Sequence, residues 1–117
     1  MLRRMLIVED EPDICECLQQ FFSRRGFAVV SSFSGEEAIE RLESEVPDVI
    51  LLDILLPGLT GIEVLKRAKQ LLPETRVVII TALDRADLRE QAIRYGAAAY
   101  ITKPFTFTDA EWSVVLR

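Results

Sequence analysis

The sequence predicts an α/β fold, a doubly wound (βα)5 unit with a parallel sheet between two layers of helices. Three observations predict it. Five short runs are apolar throughout, as strands covered on both sides must be. The segments between them repeat apolar residues at helical spacing. Gly and Pro fall at the junctions between the two kinds of segment.

Met5 to Val8 is the first apolar run. Pro12 suits the first turn of a helix, where its missing N–H costs nothing. Ile14, Cys17, Leu18, Phe21 and Phe22 continue that helix, and Gly26 stops it. Phe27 to Val30 is the second strand. Ser34 and Glu37 form a capping box, Ala38, Ile39 and Leu42 give the second helix its inner face, and Pro47 breaks it. Val49 to Leu52 is the third strand and runs into Asp53. After a loop with Pro57, Gly58 and Gly61, the residues Ile62, Leu65, Ala68 and Leu72 mark the third helix, closed by Pro73. Val77 to Ile80 is the fourth strand and runs into Thr81. Leu88, Ala92 and Ile93 mark the fourth helix, and Gly96 ends it. Ala99 to Ile101 is the fifth strand, followed by Lys103-Pro104. A second capping box, Thr108 with Glu111, precedes Trp112, Val115 and Leu116. The last helix is expected to be short or truncated.

At 117 residues the chain fits a single domain with one real core. Its net charge of -5 argues against direct contact with nucleic acid, whose phosphates an acidic surface repels. No apolar run approaches the ~18 residues of a membrane span. A cytoplasmic location is the expectation, with no membrane partner. Cys15 and Cys17 are the only cysteines, and their spacing on one helix prevents their pairing. Cys17 is expected in the core and Cys15 near the surface. Histidine is absent, which removes imidazole acid–base catalysis, imidazole metal ligands and a phosphohistidine carrier role.

In a parallel sheet of this kind, ligands bind beyond the carboxyl ends of the strands. Those positions hold Glu9 and Asp10 after the first strand, Asp53 after the third, Thr81 after the fourth and Lys103 after the fifth. The second strand ends in serines. Any one of these residues alone has an ordinary explanation as a turn, a cap or a solvated charge. Together they place three carboxylates, one hydroxyl and one amine on a single edge. Carboxylates held that close repel one another, and a hard divalent cation such as Mg2+ relieves the repulsion. A carboxylate beside such an ion can attack phosphorus, while an ammonium and a hydroxyl stabilise the oxygens of the transferring group.

Four segments carry a resemblance to a known family. They are Leu6-Ile7-Val8-Glu9-Asp10-Glu11, Leu51-Leu52-Asp53-Ile54-Leu55-Leu56-Pro57-Gly58 with Gly61, Ile80-Thr81-Ala82, and Tyr100-Ile101-Thr102-Lys103-Pro104-Phe105. The sequence resembles the receiver domain of bacterial two-component response regulators over nearly its whole length. The resemblance implies a flavodoxin-like strand order 2-1-3-4-5, with residues 1–117 forming one receiver domain. It implies that Asp53 is the phosphoacceptor, and that Asp10, Asp53 and the backbone carbonyl of Leu55 bind Mg2+ (or Mn2+), with Glu9 acting through water. It implies that Lys103 and Thr81 engage the phosphoryl group and that Tyr100 swings inward as part of the switch. It also implies a cis peptide at Lys103-Pro104. The phosphodonor would be a sensor histidine kinase or a phosphotransfer protein. The readout would be the surface of the fourth helix, fifth strand and fifth helix, acting on an output domain or a downstream protein. The chain would not be an enzyme beyond its own phosphotransfer and autodephosphorylation.

Some positions refine these expectations. The resemblance implies that Leu55 and Leu83, two residues past Asp53 and Thr81, flank the attacking water, where apolar groups should hinder its in-line approach and slow autodephosphorylation. Fast loss of phosphate that Leu83→Glu leaves unchanged would count against that. The segment from Phe107 to Trp112 lacks a basic, Leu-rich helix, so a monomer or weak dimer is expected. A haloacid-dehalogenase-like phosphatase would want a second Asp where Leu55 stands. A flavodoxin-like electron carrier would want a hydroxyl- and glycine-rich loop where Glu9-Asp10-Glu11-Pro12-Asp13 stands. A phosphorylation-independent interaction module is the remaining alternative.

Overall fold

A computed structural model describes residues 2–117, so Met1 of the expected 1–117 unit lies outside the described residues. Ten elements alternate along the chain: β1 (Arg3–Val8), α1 (Pro12–Ser23), β2 (Phe27–Ser32), α2 (Gly35–Glu45), β3 (Val49–Asp53), α3 (Gly61–Leu71), β4 (Arg76–Thr81), α4 (Ala86–Arg94), β5 (Ala99–Thr102) and α5 (Ser113–Leu116). The five strands form one parallel sheet in the order β2-β1-β3-β4-β5. This is the expected flavodoxin-like topology.

Strand alternation divides the core into two layers. Leu6, Val8, Ile50, Leu52, Val77, Ile79 and Tyr100 face α2, α3 and α4. Met5, Ile7, Val49, Leu51, Val78 and Ile80 face α1 and α5. The second layer is aromatic. Phe22 packs edge-on against Phe27 and Trp112, and Trp112 against Phe105. Each such pair adds about 0.5–1.5 kcal/mol to simple burial. The Trp112 indole is fully buried, and its N–H donates to the Thr106 carbonyl at 2.8 Å.

The helix ends follow local chemistry. Pro12 opens α1. The Ser34 hydroxyl accepts from the Glu37 N–H at 3.2 Å, as a capping residue should. α2 closes on Val46, held at φ 41° in the left-handed region before Pro47. Gly61 opens α3 against the strand before it. A Cβ there would sit 2.2 Å from the Asp53 carbonyl oxygen, so only glycine lets the helix pack this close to the end of β3.

The structure departs from the sequence expectations in several places. Cys15 is the buried thiol, donating to the Ser31 hydroxyl at 3.1 Å, and Cys17 is exposed. The core stripe of α1 centres on Leu18 and Phe22. At about 100° per residue, Cys15 lies about 60° from Leu18 and Cys17 about 100°. β2 extends through Ser31 and Ser32, because both still pair with β1. Ile93, one of the apolar residues whose spacing predicts α4, is exposed. Leu72 caps α3 instead of lying within it. The Thr108–Glu111 cap forms, with the Glu111 N–H donating to the Thr108 hydroxyl at 3.3 Å, but it opens a turn, and the regular helix begins only at Ser113.

Candidate functional site

The site lies on the carboxyl edge of the sheet, where β1, β3, β4 and β5 end side by side. β1 and β3 pair Val8 with Leu52, so Glu9 and Asp53 emerge from neighbouring strands at the same level. β3 and β4 pair Asp53 with Ile80, which sets Thr81 one step beyond. The Lys103 N–H donates to the Thr81 carbonyl at 2.7 Å and anchors the loop that follows β5. The Lys103-Pro104 peptide bond is cis.

Carboxylate oxygens of Glu9, Asp10 and Asp53 lie within 4.8 Å of one another. Glu9 is 0% and Asp53 2% exposed, while Asp10 is open to solvent. Among the described residues, one cation faces them. Lys103 Nζ stands 2.6 Å from Glu9 Oε1, 3.0 Å from Asp53 Oδ2 and 3.2 Å from Glu11 Oε1, and its side chain is 11% exposed. Asp53 Oδ1 accepts from the Leu55 N–H at 3.0 Å. Glu9 Oε2 accepts from the Glu11 N–H at 3.2 Å.

The electrostatics follow from this crowding. Burial pushes the Glu9 carboxyl up to about 7, the nearby Asp53 charge pushes the same way, and the Lys103 ammonium pulls it back in part. Burial alone would lower the Lys103 ammonium. Its bonds to Glu9 and Asp53 outweigh that and hold its pKa above the ordinary lysine value. One ammonium thus serves three carboxylates, with a fourth beside them. The all-oxygen donor set and the excess negative charge together suit a hard divalent cation.

Among the described residues, the Thr81 and Tyr100 side chains make their hydrogen bonds to Leu83 and none to this cluster. The Thr81 hydroxyl is fully buried and accepts from the Leu83 N–H at 3.2 Å, turned toward its own loop. Tyr100 is already buried. Its hydroxyl donates to the Leu83 carbonyl at 2.5 Å, and burial raises its pKa. Leu83 therefore joins Thr81 and Tyr100 through the two polar groups of its own backbone. The Leu55 side chain is exposed, and Leu83 packs partly buried against the α2–α4 layer.

Two contributors were not singled out from the sequence. Arg89 on α4 donates to the Tyr100 carbonyl at 3.2 Å and lies 4.7 Å from the ring centroid, gripping the aromatic from outside. Glu11 contacts Lys103 directly. The sequence marks Glu11 only by its place directly after the Glu9-Asp10 pair, and nothing local marks Arg89.

Comparison with known proteins agrees with this geometry. Residues 5–112 match the family model of the response regulator receiver domain. The chain is 39% identical over 106 residues to the alkaline phosphatase synthesis transcriptional regulatory protein PhoP of Bacillus subtilis, covering 91% of this chain and 44% of PhoP. It is 35% identical over 109 residues to sporulation initiation phosphotransferase F of the same organism, covering 93% of this chain and 88% of that protein. Among solved structures, a CheY-like response regulator receiver domain protein from Methanospirillum hungatei superposes with a TM-score of 0.92 at 29% identity, covering 98% of this chain and 92% of that one. The chain spans about half the length of PhoP and of the transcriptional regulatory protein DltR of Streptococcus agalactiae. No helix among the described residues is long and apolar enough to cross a membrane. The sheet order, the acidic cluster and these matches agree: the chain belongs to the response regulator receiver domain family, which serves two-component signalling through phosphorylation of an aspartate.

Proposed function

We propose that Asp53 is the phosphoacceptor and that the whole chain works as one receiver switch. The observation that carries this reading is the buried contact between Asp53 Oδ2 and the Lys103 ammonium at 3.0 Å, inside a three-carboxylate cluster. A carboxylate oxygen of Asp53 attacks phosphorus. The bond from phosphorus to the donor's imidazole nitrogen breaks, and the imidazole leaves with its electron pair. The Lys103 ammonium lies beside Asp53 and neutralises the charge on the phosphoryl oxygens.

Asp10, Asp53 and the Leu55 carbonyl would hold Mg2+ or Mn2+, with Glu9 acting through water. The ion supplies charge neutralisation at the transferring group. Thr81 and Tyr100 are the switch residues in this reading. A Thr81 hydroxyl drawn toward a phosphoryl oxygen releases the Leu83 N–H, and Tyr100 holds the same residue by its carbonyl. The event at Asp53 thereby reaches α4 and β5, where Arg89 grips Tyr100. That surface would act on an output domain or a downstream protein, and the donor would be a histidine kinase or phosphotransfer protein. A cytoplasmic location accords with such partners. Leu55 occupies the place of a phosphatase's second acid, which favours a site that holds a phosphoryl group over one that turns substrate over.

The test is acetyl phosphate with Mg2+, followed by intact mass. Wild type should gain one phosphoryl group and Asp53→Ala none. An adduct that persists in Asp53→Ala would sink the assignment.

A further inference from the structure

Lys103 has more carboxylate partners than phosphoryl acceptance requires. Glu9 and Asp53 are buried, but Glu11 is 60% exposed and reaches the ammonium from the mouth of the site at 3.2 Å. Glu11 is also the residue that caps the N-terminus of α1, and its side chain makes no capping hydrogen bond. Glutamate is a poor cap at that position, where a shorter Asp, Asn, Ser or Thr would satisfy a backbone N–H. The Glu11 backbone N–H is fixed on Glu9 Oε2. The carboxylate is thus tethered at its base and bound to Lys103 at its tip.

We propose that Glu11 is a positioning residue that draws the Lys103 ammonium toward the mouth of the site and restrains it from engaging a phosphoryl group on Asp53. An incoming phosphoryl group brings its own negative oxygens to Lys103. It must displace one carboxylate partner, and the exposed one leaves at least cost, because water takes its place. Glu11 therefore slows acceptance from a small phosphodonor that makes no contact of its own with this mouth. The inference rests on the proposed role of Asp53.

Asp13 supplies the control. It lines the wall of the same groove of about 500 Å3, beside Glu11, Cys17 and Phe107, and forms no ion pair among the described residues. Neutralising it changes the local charge without touching Lys103. Glu11→Asp does the reverse. It keeps the charge, shortens the reach and offers the helix a better cap, so the carboxylate leaves Lys103.

The experiment measures the rate of phosphoryl adduct formation by intact mass, with acetyl phosphate and saturating Mg2+, on the full chain. Glu11→Gln and Glu11→Asp should each react about threefold faster than wild type, the scale of one partly exposed ion pair. Asp13→Asn should match wild type. A gain of rate is not what structural damage produces. Glu11→Asp at the wild-type rate overturns the proposal, as does an Asp13→Asn gain equal to that of Glu11→Gln. An adduct on wild type with unchanged variants sinks only this inference, whereas no adduct on wild type sinks the phosphoacceptor reading and this one together.

Discussion

Asp48 and Asp53 flank one strand, and their surroundings differ in kind. Asp48 precedes β3 and is exposed. Its carboxylate accepts from the Arg4 N–H at 2.7 Å, its own N–H donates to the Arg4 carbonyl, and its carbonyl accepts from the Arg76 N–H. Each bond ties one strand start to the next. The neighbouring charges are matched as simply. Arg4 pairs with Glu45 at 2.9 Å, and Arg76 donates to the Val114 carbonyl at 2.7 Å. Asp53 ends the same strand, buried, in a cluster where carboxylates outnumber cations. Charges matched by partly exposed partners at this edge of the sheet are structure. Charges buried in excess of their partners are poised for something that is to be added.

Removing the cation should give the largest effect. Lys103→Ala leaves Glu9 and Asp53 as buried carboxylates with no compensating charge, at a cost of about 3–5 kcal/mol. Urea denaturation above neutral pH, without divalent ions, measures it, and added Mg2+ should recover part of the loss. Arg76→Ala at the opposite edge loses one hydrogen bond and should cost about 1 kcal/mol, whatever the Mg2+ concentration. Equal costs for the two variants would erase the distinction between the edges.

The two aspartates should respond to the same substitution with opposite signs. Asp48→Ala removes an acceptor that organises strand pairing and should lower stability by about 1 kcal/mol. Asp53→Ala removes one of three mutually repelling carboxylates and should raise stability by about 1 kcal/mol in the absence of Mg2+. Urea midpoints compared at constant slope would show it. A shared sign would mean that Asp53 is held as structurally as Asp48.

The sequence made the strands, their order at the site and the chemistry of the edge readable, because buried parallel strands are continuous apolar runs that end abruptly in polar residues. The sequence alone therefore predicts Glu9, Asp53, Thr81 and Lys103 on one edge. The helix phase was harder. Ile14 and Cys17 are at helical spacing from Leu18 and Phe21, yet the core meets the neighbouring stripe through Cys15 and Phe22. A short amphipathic segment with apolar residues spread over a wide arc does not fix its own rotation. Packing against Phe27 and Trp112 does. Backbone relays were illegible for another reason. Leu83 links Thr81 to Tyr100 through its N–H and carbonyl, groups that every residue but proline carries. Arg89 likewise reads as a solvated charge until β5 is laid beside α4.

The last effect is one of pH, and it tests whether the charge excess at the Asp53 edge is felt by the fold. Glu9 is held up to about 7, from an ordinary value of 4.5. The folded chain therefore keeps this proton to higher pH than the unfolded chain does. The stabilising contribution is present below about 4.5 and is lost as pH rises through about 7. Without divalent ions, the urea midpoint should fall between about pH 5 and pH 8, and Glu9→Gln, which has no proton to lose, should flatten that part of the profile. Burial is the main cause of the shift and the Asp53 charge adds to it, so Asp53→Ala should reduce the slope. Asp48→Ala should leave it as in wild type, since Asp48 lies at the far end of the strand. Saturating Mg2+ should oppose the fall, because the cation favours ionised carboxylates at the cluster. A slope that Glu9→Gln and Asp53→Ala both leave intact would place the titrating group elsewhere, and the excess charge at this edge would then be without thermodynamic consequence.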